Sequence, residues 1–361
     1  MEKIGDIIES IANEKNLEIK DVKETVQTAF INTAKRMFGE NYEYDAIFNE
    51  SSKKIDLFQK ILIVADGEYS GDLHTVSLSE AKKIDSSAEV GDELSSQIDI
   101  ESYGRTASAN LAKELNYHIE KLLEEKAYEK YSQKVDSLIF GNVVFIDDEE
   151  TTYIEFDDLR AFMPRKNRIK DEKFKVGDVV RAVIRKVFID KKRGVRIEIS
   201  RTSPKFLEAL LKSQVPEIQD GSVIVKASAR IPGRRAKVAL SSISPNIDPI
   251  GATVGVKGVR IDAVSKEIKN ENIDVIEYSA QPEIMLSRAM APAIISSVRI
   301  DGNKAMVHLN SDQKSKAIGK DGINIRLASM ITGLEIQLIE NGKQTADDSK
   351  DLVKDLKSLF G

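Results

Sequence analysis

The stretch Ala317-Ile318-Gly319-Lys320-Asp321-Gly322-Ile323-Asn324-Ile325-Arg326 has an upstream echo, Val254-Gly255-Val256-Lys257-Gly258-Val259-Arg260-Ile261, and the pair decides how the rest of the chain is read. Each places two glycines around two residues, with an apolar approach and an apolar, helix-like run behind it. The two lie 64 residues apart. Twenty glycines in 361 residues yield roughly one Gly-x-x-Gly by chance, so the bare pattern carries little weight. The setting carries it instead: a helix before, a helix after, strands outside, and a second copy in the same setting.

That setting is an internal repeat. In the first copy Pro204 opens a helix through Leu211, where a proline suits the first turn. Strands are predicted near 222–230 and 235–240, then Pro249 to Val254, the first glycine loop, a helix over 259–268 and a strand over 273–277. In the second copy a helix over 282–290 precedes strands at 294–300 and 304–309. The second loop, a helix over 323–331 and a strand over 335–339 complete it. The order α-β-β-α-loop-α-β thus occurs twice, over 203–278 and 279–341, as a repeat of supersecondary units. Residues 342–361 read as a polar linker and a short C-terminal tail helix.

Upstream, residues 133–202 have another character. Short strands rich in Val, Ile and Phe are predicted at 138–146, 151–156, 179–189 and 194–200, and Leu159 to Arg168 runs between strands. About 70 residues with five short strands suggest a small closed barrel of the OB-fold type. The front, residues 1–132, reads as an α+β domain. Helical spacing appears in Ile4, Ile7, Ile8 and Ile11, and again in Val22, Val26, Phe30, Ala34 and Met37. Strands are expected around 42–49, 55–65 and 72–78, with Gly67 and Gly71 bracketing a hairpin between the last two, and a short one near 94–100. A long helix over 105–130 turns Ala109, Leu111, Leu115, Ile119 and Leu122 inward.

Charge divides the chain. The net −5 hides a front of 16 Lys+Arg against 27 Asp+Glu over 1–132, while 133–341 carries a net +6. A polyanion is repelled by the first part and tolerated by the second; solvation of a soluble domain accounts for the acidic front equally well. There is no cysteine, which excludes disulfides, thiolate metal sites and cysteine catalysis. Three histidines, His74, His118 and His308, lie far apart, so no metal site is expected. The longest apolar run, Ile61 to Ala65, is too short for a membrane span, and the amino terminus has no signal-peptide core. A cytoplasmic protein with no membrane contact and no cofactor is expected.

A helix, Gly-x-x-Gly and a second helix is the KH signature, whose loop clamps about four nucleotides of backbone. Glycine lets a sugar-phosphate chain approach the main chain, and the following helix offers free N–H groups and the positive end of its dipole. The RNA-binding candidates are therefore Gly255, Val256, Lys257 and Gly258, and Gly319, Lys320, Asp321 and Gly322. Asp321 opposes the charge of the second loop, which leaves more to its backbone. Arg260 and Arg326 are placed at equivalent positions one turn into the following helices. Four cations, Arg230, Arg234, Arg235 and Lys237, flank the turn Ile231-Pro232-Gly233 and form a further candidate phosphate contact. In the barrel, Phe162 beside Arg165 and other cations suits base stacking; the residues equally allow Phe162 in the core and the cations on a solvated loop. No phosphate-loop motif for a nucleoside triphosphate is present, and the acidic pairs Asp147-Asp148 and Asp157-Asp158 suit turns better than metal-assisted catalysis. No enzyme activity is expected.

The order of parts, together with particular runs, resembles the NusA family of bacterial transcription termination/antitermination proteins. The runs are Val90-Gly91-Asp92 followed by Tyr103-Gly104-Arg105-Thr106-Ala107, Ser200-Arg201-Thr202-Ser203-Pro204 leading to Val215-Pro216-Glu217-Ile218, Ala229-Arg230-Ile231-Pro232-Gly233-Arg234, and Asp248-Pro249-Ile250-Gly251-Ala252. The resemblance covers about 1–340. It implies an N-terminal domain that binds core RNA polymerase, a barrel of the S-one type and two KH domains that bind single-stranded nascent RNA. The implied role is an elongation factor acting on pausing, termination and antitermination, as a monomer and with other antitermination factors. The family's RNA contacts carry over to Gly255–Gly258 and Gly319–Gly322, and to Arg230 and Arg234. Ile231 departs from the acidic residue usual there, and regulation through the C-terminal acidic repeats of some relatives is not expected. The alternative is an RNA-binding protein of ribosome assembly or RNA decay that does not contact polymerase.

Overall fold

The computed structural model describes residues 4–69, 71, 75–157 and 159–341. The expected tail at 342–361, His74, Asp158 and the start of the strand expected at 72–78 lie outside the described residues. The chain forms two compact units, Met1–Lys130 and Tyr131–Gly361.

In the first unit, α1 (Ile4–Lys15) and α2 (Ile19–Phe38) precede β1 (Tyr44–Asn49), β2 (Lys54–Val64), β3 (Thr75–Ser77), α3 (Leu78–Ile84), β4 (Glu93–Ile98) and α4 (Gly104–Ser132). Strand β2 is central, with Leu57 facing Ala46 of β1 and Ile98 of β4, both antiparallel. The hairpin expected around Gly67 and Gly71 does not form, because β3 runs parallel to β2 with Leu62 opposite Thr75. Apolar alternation gives a strand its faces but not its direction, so three residues left the sense open. Ser77 ends β3 and caps α3 by accepting from the Glu80 N–H. Ile8, Val22, Val26 and Phe30 pack on Leu57 and Ile119. The inward stripe of α4 begins at Ala107, which is fully buried, and not at Ala109, which is exposed. Two residues along a helix is a turn of about 200°. The stripe also carries a buried acid, Glu114, held by Arg36 at 2.9 Å.

The second unit opens with β5 (Leu138–Ile146), β6 (Thr152–Phe156), β7 (Leu159–Met163), β8 (Val179–Asp190) and β9 (Gly194–Ser200). They close a barrel in the order β5-β6-β7-β9-β8. The first half of the stretch expected to run between strands is therefore itself a strand, β7. Alternate residues fill the interior, among them Val143, Ile154, Ala161, Met163, Ile184 and Ile197. Register shifts at Val143/Phe145 and Ile184/Lys186 mark bulges, which bend strands far enough to close so small a barrel. Gly141 is required by packing, since a Cβ there would lie 2.3 Å from the Glu155 carbonyl oxygen.

The order α-β-β-α-loop-α-β is present in both copies, with an unread short helix at Pro216–Gln219 in the first and with the strand expected at 294–300 beginning at Ser297 in the second. The first copy is α5 (Pro204–Gln214), α6 (Pro216–Gln219), β10 (Val223–Ile231), β11 (Arg235–Ser242), α7 (Pro249–Val254), α8 (Val259–Glu267) and β12 (Asn272–Glu277). The second is α9 (Pro282–Ala289), β13 (Ser297–Asp301), β14 (Lys304–Leu309), α10 (Ser311–Ile318), α11 (Ile323–Thr332) and β15 (Glu335–Glu340). Each sheet has its hairpin strands antiparallel and its last strand parallel to the second.

Shared cores join the three parts of this unit. Ile169 and Val183 of the barrel pack with Phe206, Leu207 and Leu210 of α5. Ala229, Ala239 and Ile276 of the first KH sheet pack with Leu286, Met290, Leu327 and Ala328 of the second copy. The first sheet is thus covered on both faces.

A buried polar network ties the barrel to the first copy. Arg201 donates to Glu172 at 2.7 Å, to the Arg181 carbonyl at 2.6 Å and to Glu267 at 3.0 Å. Arg230 donates from Nε to both oxygens of Glu271, at 2.8 and 2.9 Å, and from Nη1 to the Arg201 carbonyl at 2.6 Å. Both side chains of the Arg230–Glu271 pair are fully buried. Glu271→Ala strands a buried guanidinium, and the full chain is expected to lose about 3–5 kcal/mol of stability. Urea unfolding checks this, and a loss under about 1 kcal/mol would contradict the structural role given to the pair.

Candidate nucleic-acid interface

The two glycine loops have the same backbone. Gly255 has φ 76°, ψ 172° and Gly319 has φ 74°, ψ 172°. The third position is left-handed in both, Lys257 and Asp321 each at φ 55°, ψ 25°. Gly258 and Gly322 follow at φ 77° and 71°. Only glycine takes the first of these conformations without strain, and the last, in the left-handed region, favours it. Each last glycine is also the N-cap of the next helix, α8 or α11, and brings no side chain to cap it. No side chain covers either helix start, while the Val259 and Ile323 N–H groups donate back to the Val256 and Lys320 carbonyls and close each loop on itself. Val256 is 82% exposed, so the first loop stands clear of the core.

Beneath each loop lies a tie. The Arg260 guanidinium donates to the Ala252 carbonyl at 2.5 Å and to Glu217 at 2.9 Å. Asn324 donates to the Lys316, Ala317 and Met290 carbonyls at 3.0–3.2 Å. The 64-residue offset of the loops maps Ala252 onto Lys316 and Arg260 onto Asn324. Arg260 and Arg326 are therefore not equivalent, contrary to the sequence expectation, since Arg326 maps onto Asp262. A Cβ at Gly255 would meet Arg260 Cγ at 2.9 Å and one at Gly319 would meet Asn324 Cβ at 2.8 Å, so each tie packs against its glycine. Arg260 is committed to holding the loop, whereas Arg326 is exposed.

The four cations of the β10–β11 turn separate in the same way. Arg230 is buried on Glu271 and is withdrawn as an RNA contact. Lys237 is buried as well, with its Nζ on Asp274 at 2.9 Å and on the Ala291 carbonyl of the second copy at 2.8 Å. Strand alternation sends Arg230 and Lys237 to opposite faces, and in this sheet both faces are covered. Arg235 is bidentate on Asp274 at 2.7 and 2.8 Å. Arg234 stays at the surface and pairs with Asp321 of the second loop. Burial alone would raise the Asp274 carboxyl, but Arg235 and Lys237 outweigh it and hold it below the ordinary carboxylate range. Burial pushes the Lys237 ammonium down against the pull of Asp274. The hydrogen bond from Arg234 and its charge lower Asp321.

On the barrel, Phe162 lies on the outer face, between buried Ala161 and Met163, which decides against a core role. The Arg196 guanidinium carbon sits 4.5 Å from its ring centroid and Phe188 meets it edge-on at 6.3 Å. Tyr153 is its cross-strand neighbour, and Phe145 lies 5.6 Å beyond Tyr153. Lys186 lies over Phe188 at 5.3 Å. An aromatic row with cations thus crosses the barrel exterior. Sequence reading took only Phe162 from it; Tyr153 shares strand parity with exposed Glu155, and Phe188 with Lys186, which marks them as outward. Arg165 pairs with Glu150 at 3.1 Å at the rim of a groove of about 820 Å³ that also holds Lys166, Arg168, Lys170 and Lys173.

The first member of each acidic pair has a local duty. Asp147 accepts from the Glu149 and Thr151 N–H groups, and Asp157 from the Tyr131 hydroxyl. Among the described residues no helix is long and apolar enough to cross a membrane.

Comparison with known proteins agrees with this arrangement. The NusA N-terminal domain profile matches residues 3–125, the NusA-like first KH domain residues 201–278 and the NusA-like second KH domain residues 282–346. The transcription termination/antitermination protein NusA of Helicobacter pylori is 40% identical, with both chains covered in full. The chain belongs to the NusA family. The NusA of Thermus thermophilus is 34% identical over 92% of this chain and 88% of its own. That of Halalkalibacterium halodurans is 29% identical over 92% and 87%. The multidomain α+β fold with two KH domains, read from the twin loops, is that of a NusA chain, and the family is one of transcription factors.

The Asp274 pairing has a pH signature. Its folded pKa lies below the unfolded value of about 3.9, so its stabilisation is present above about pH 4 and is lost as pH falls through the folded value. Asp274→Asn is expected to lower stability by about 3 kcal/mol at pH 7, with the difference shrinking in acid. Urea titrations stepped from pH 7 downward check this, and a difference that stays constant with pH contradicts it.

Proposed function

We propose that this protein is a transcription elongation factor that engages RNA polymerase through its first unit and holds single-stranded nascent RNA on its second, thereby modulating pausing, termination and antitermination. The observation that carries the RNA half is the pair of loops with the same dihedral angles, each standing at an uncapped helix start. The contacts assigned to RNA are Gly255–Gly258, Gly319–Gly322, Arg234 and Arg326, with Phe162, its aromatic neighbours and Arg165 on the barrel. Phosphates take the loops and cations, and bases stack on the aromatic row.

Each module alone binds weakly. Three on one body gain through effective concentration without any new contact, and the shared cores between them favour a fixed spacing over independent beads. Binding is expected to weaken with added salt, as counterions released from RNA are restored.

The polymerase half rests on family membership and on charge. The acidic front, at −11, suits a protein partner better than RNA. The matching N-terminal profile favours this reading over a factor of ribosome assembly or RNA decay. The proposed protein acts as a monomer in the cytoplasm, beside other antitermination factors, and without catalysis.

Two measurements test the proposal. In a paused-transcription assay the full chain is expected to change the lifetime of the paused complex. The variants Val256→Asp with Lys257→Asp, and Lys320→Asp, are expected to bind single-stranded RNA about tenfold more weakly, with unfolding midpoints unchanged because these positions are exposed. Unchanged affinity in both variants would sink the KH assignment, and an unaltered pause would sink the transcription role.

A further inference from the structure

We infer that the second glycine loop and the β10–β11 turn of the first KH copy together form one composite phosphodiester site, in which Asp321 occupies Arg234 until RNA displaces it. The inference rests on the RNA reading above and adds a residue from the other copy and an internal competitor.

The two loops are alike in backbone and unlike in charge at one place. Where the first loop presents Lys257, the second presents Asp321, at the same φ and ψ. A carboxylate there opposes a phosphate. Yet it does not stand alone: Arg234, contributed by the first copy, donates to its Oδ2 through Nη2. Lys320 adjoins the pair and adds its charge. Between turn and loop lies a cleft of about 310 Å³, lined by Gly233, Arg234, Asn272, Gly319, Lys320 and Asn324.

Arg234 is the cation free to change partner here. Arg235 is locked in a bidentate pair with Asp274, and Arg230 and Lys237 are buried. The Arg234 and Asp321 side chains are 47% and 56% exposed, and an ion pair so open to water holds weakly. The turn itself is fixed, since the Gly233 N–H donates to buried Glu271 at 2.8 Å. Arg234 therefore reaches the second loop from a rigid base. A guanidinium that touches the third residue of a phosphate-clamping loop also reaches an anion held by that loop. The phosphodiester takes over the donors that Asp321 now holds, and the carboxylate turns to water. The second loop is thus complete only with the first copy beside it, which links occupancy of one copy to the placement of the other.

The test is a double-mutant cycle in the full chain, read by fluorescence anisotropy. The probe is a labelled single-stranded RNA of about 12 nucleotides, enough for two loops that clamp about four each. Asp321→Asn is expected to tighten binding about threefold to tenfold and to steepen the salt dependence by about one counterion. In the Arg234→Ala background the same substitution is expected to gain less than about twofold. Equal gains in both backgrounds mean simple repulsion by Asp321 and overturn the competition; no gain, or weaker binding, overturns the site. Wild-type protein that binds no RNA overturns the RNA reading and this inference with it, and wild-type binding separates the two failures. Both positions are exposed, and matching thermal unfolding of all four proteins confirms that the comparison is between folded chains.

Discussion

Two guanidinium groups approach the Phe206 ring, Arg201 at 5.0 Å from its centroid and Arg230 at 5.8 Å. Each guanidinium has a buried glutamate, Glu172 or Glu271, and the Arg201 carbonyl accepts from Arg230. The second unit depends on this arrangement. Buried charges tolerate little displacement, because any movement leaves one of them unpaired in a low dielectric. The barrel supplies Glu172, the first KH copy supplies Arg230 and Glu271, and Arg201 sits on the connection between them. Glu271 also receives the Gly233 N–H. The same network that joins barrel to KH copy therefore sets the β10–β11 turn, and through it the position of Arg234.

Function in this molecule follows from which cations are spent. Arg201, Arg230, Lys237 and Arg260 hold structure. Lys257, Lys320, Arg326 and Arg234 lie at the surface, and these are the cations that the proposed function assigns to RNA, together with the main chain of two glycine loops. A basic residue count along the chain does not make that division; burial and partners do. The cations that hold structure are matched by particular acids, Glu172, Glu267, Glu271, Asp274 and Glu217, which leaves the cations near the loops outside these pairs.

Much of this was legible in the chain. The twin loops were, because a left-handed glycine at a helix junction leaves a mark in spacing, and the mark occurs twice. The helical stripes of α2 and α4 were legible for the same reason, although Ala107 rather than Ala109 begins the second. What the chain hid has physical causes. A sheet buried on both faces turns alternating cations into interior ties, so Arg230 and Lys237 looked like a basic turn. Periodicity carries no direction, so β3 looked like half of a hairpin. Phe162 was undecided until β7 was seen as a strand, although its parity with exposed Arg160 already pointed outward. The non-equivalence of Arg260 and Arg326 needed only the 64-residue offset to be carried past the loops.

In the proposed mode of binding, both glycine loops of the second unit hold a single RNA strand. Amide hydrogen exchange of the full chain, with and without a single-stranded RNA of about 20 nucleotides, tests it most directly. The amides of the two middle residues of each loop, Val256 and Lys257 with Lys320 and Asp321, are expected to gain protection together, at one RNA per chain, while α5 and β10 stay as they were. Protection confined to one loop, or to the barrel while both loops exchange as in the free protein, would contradict it.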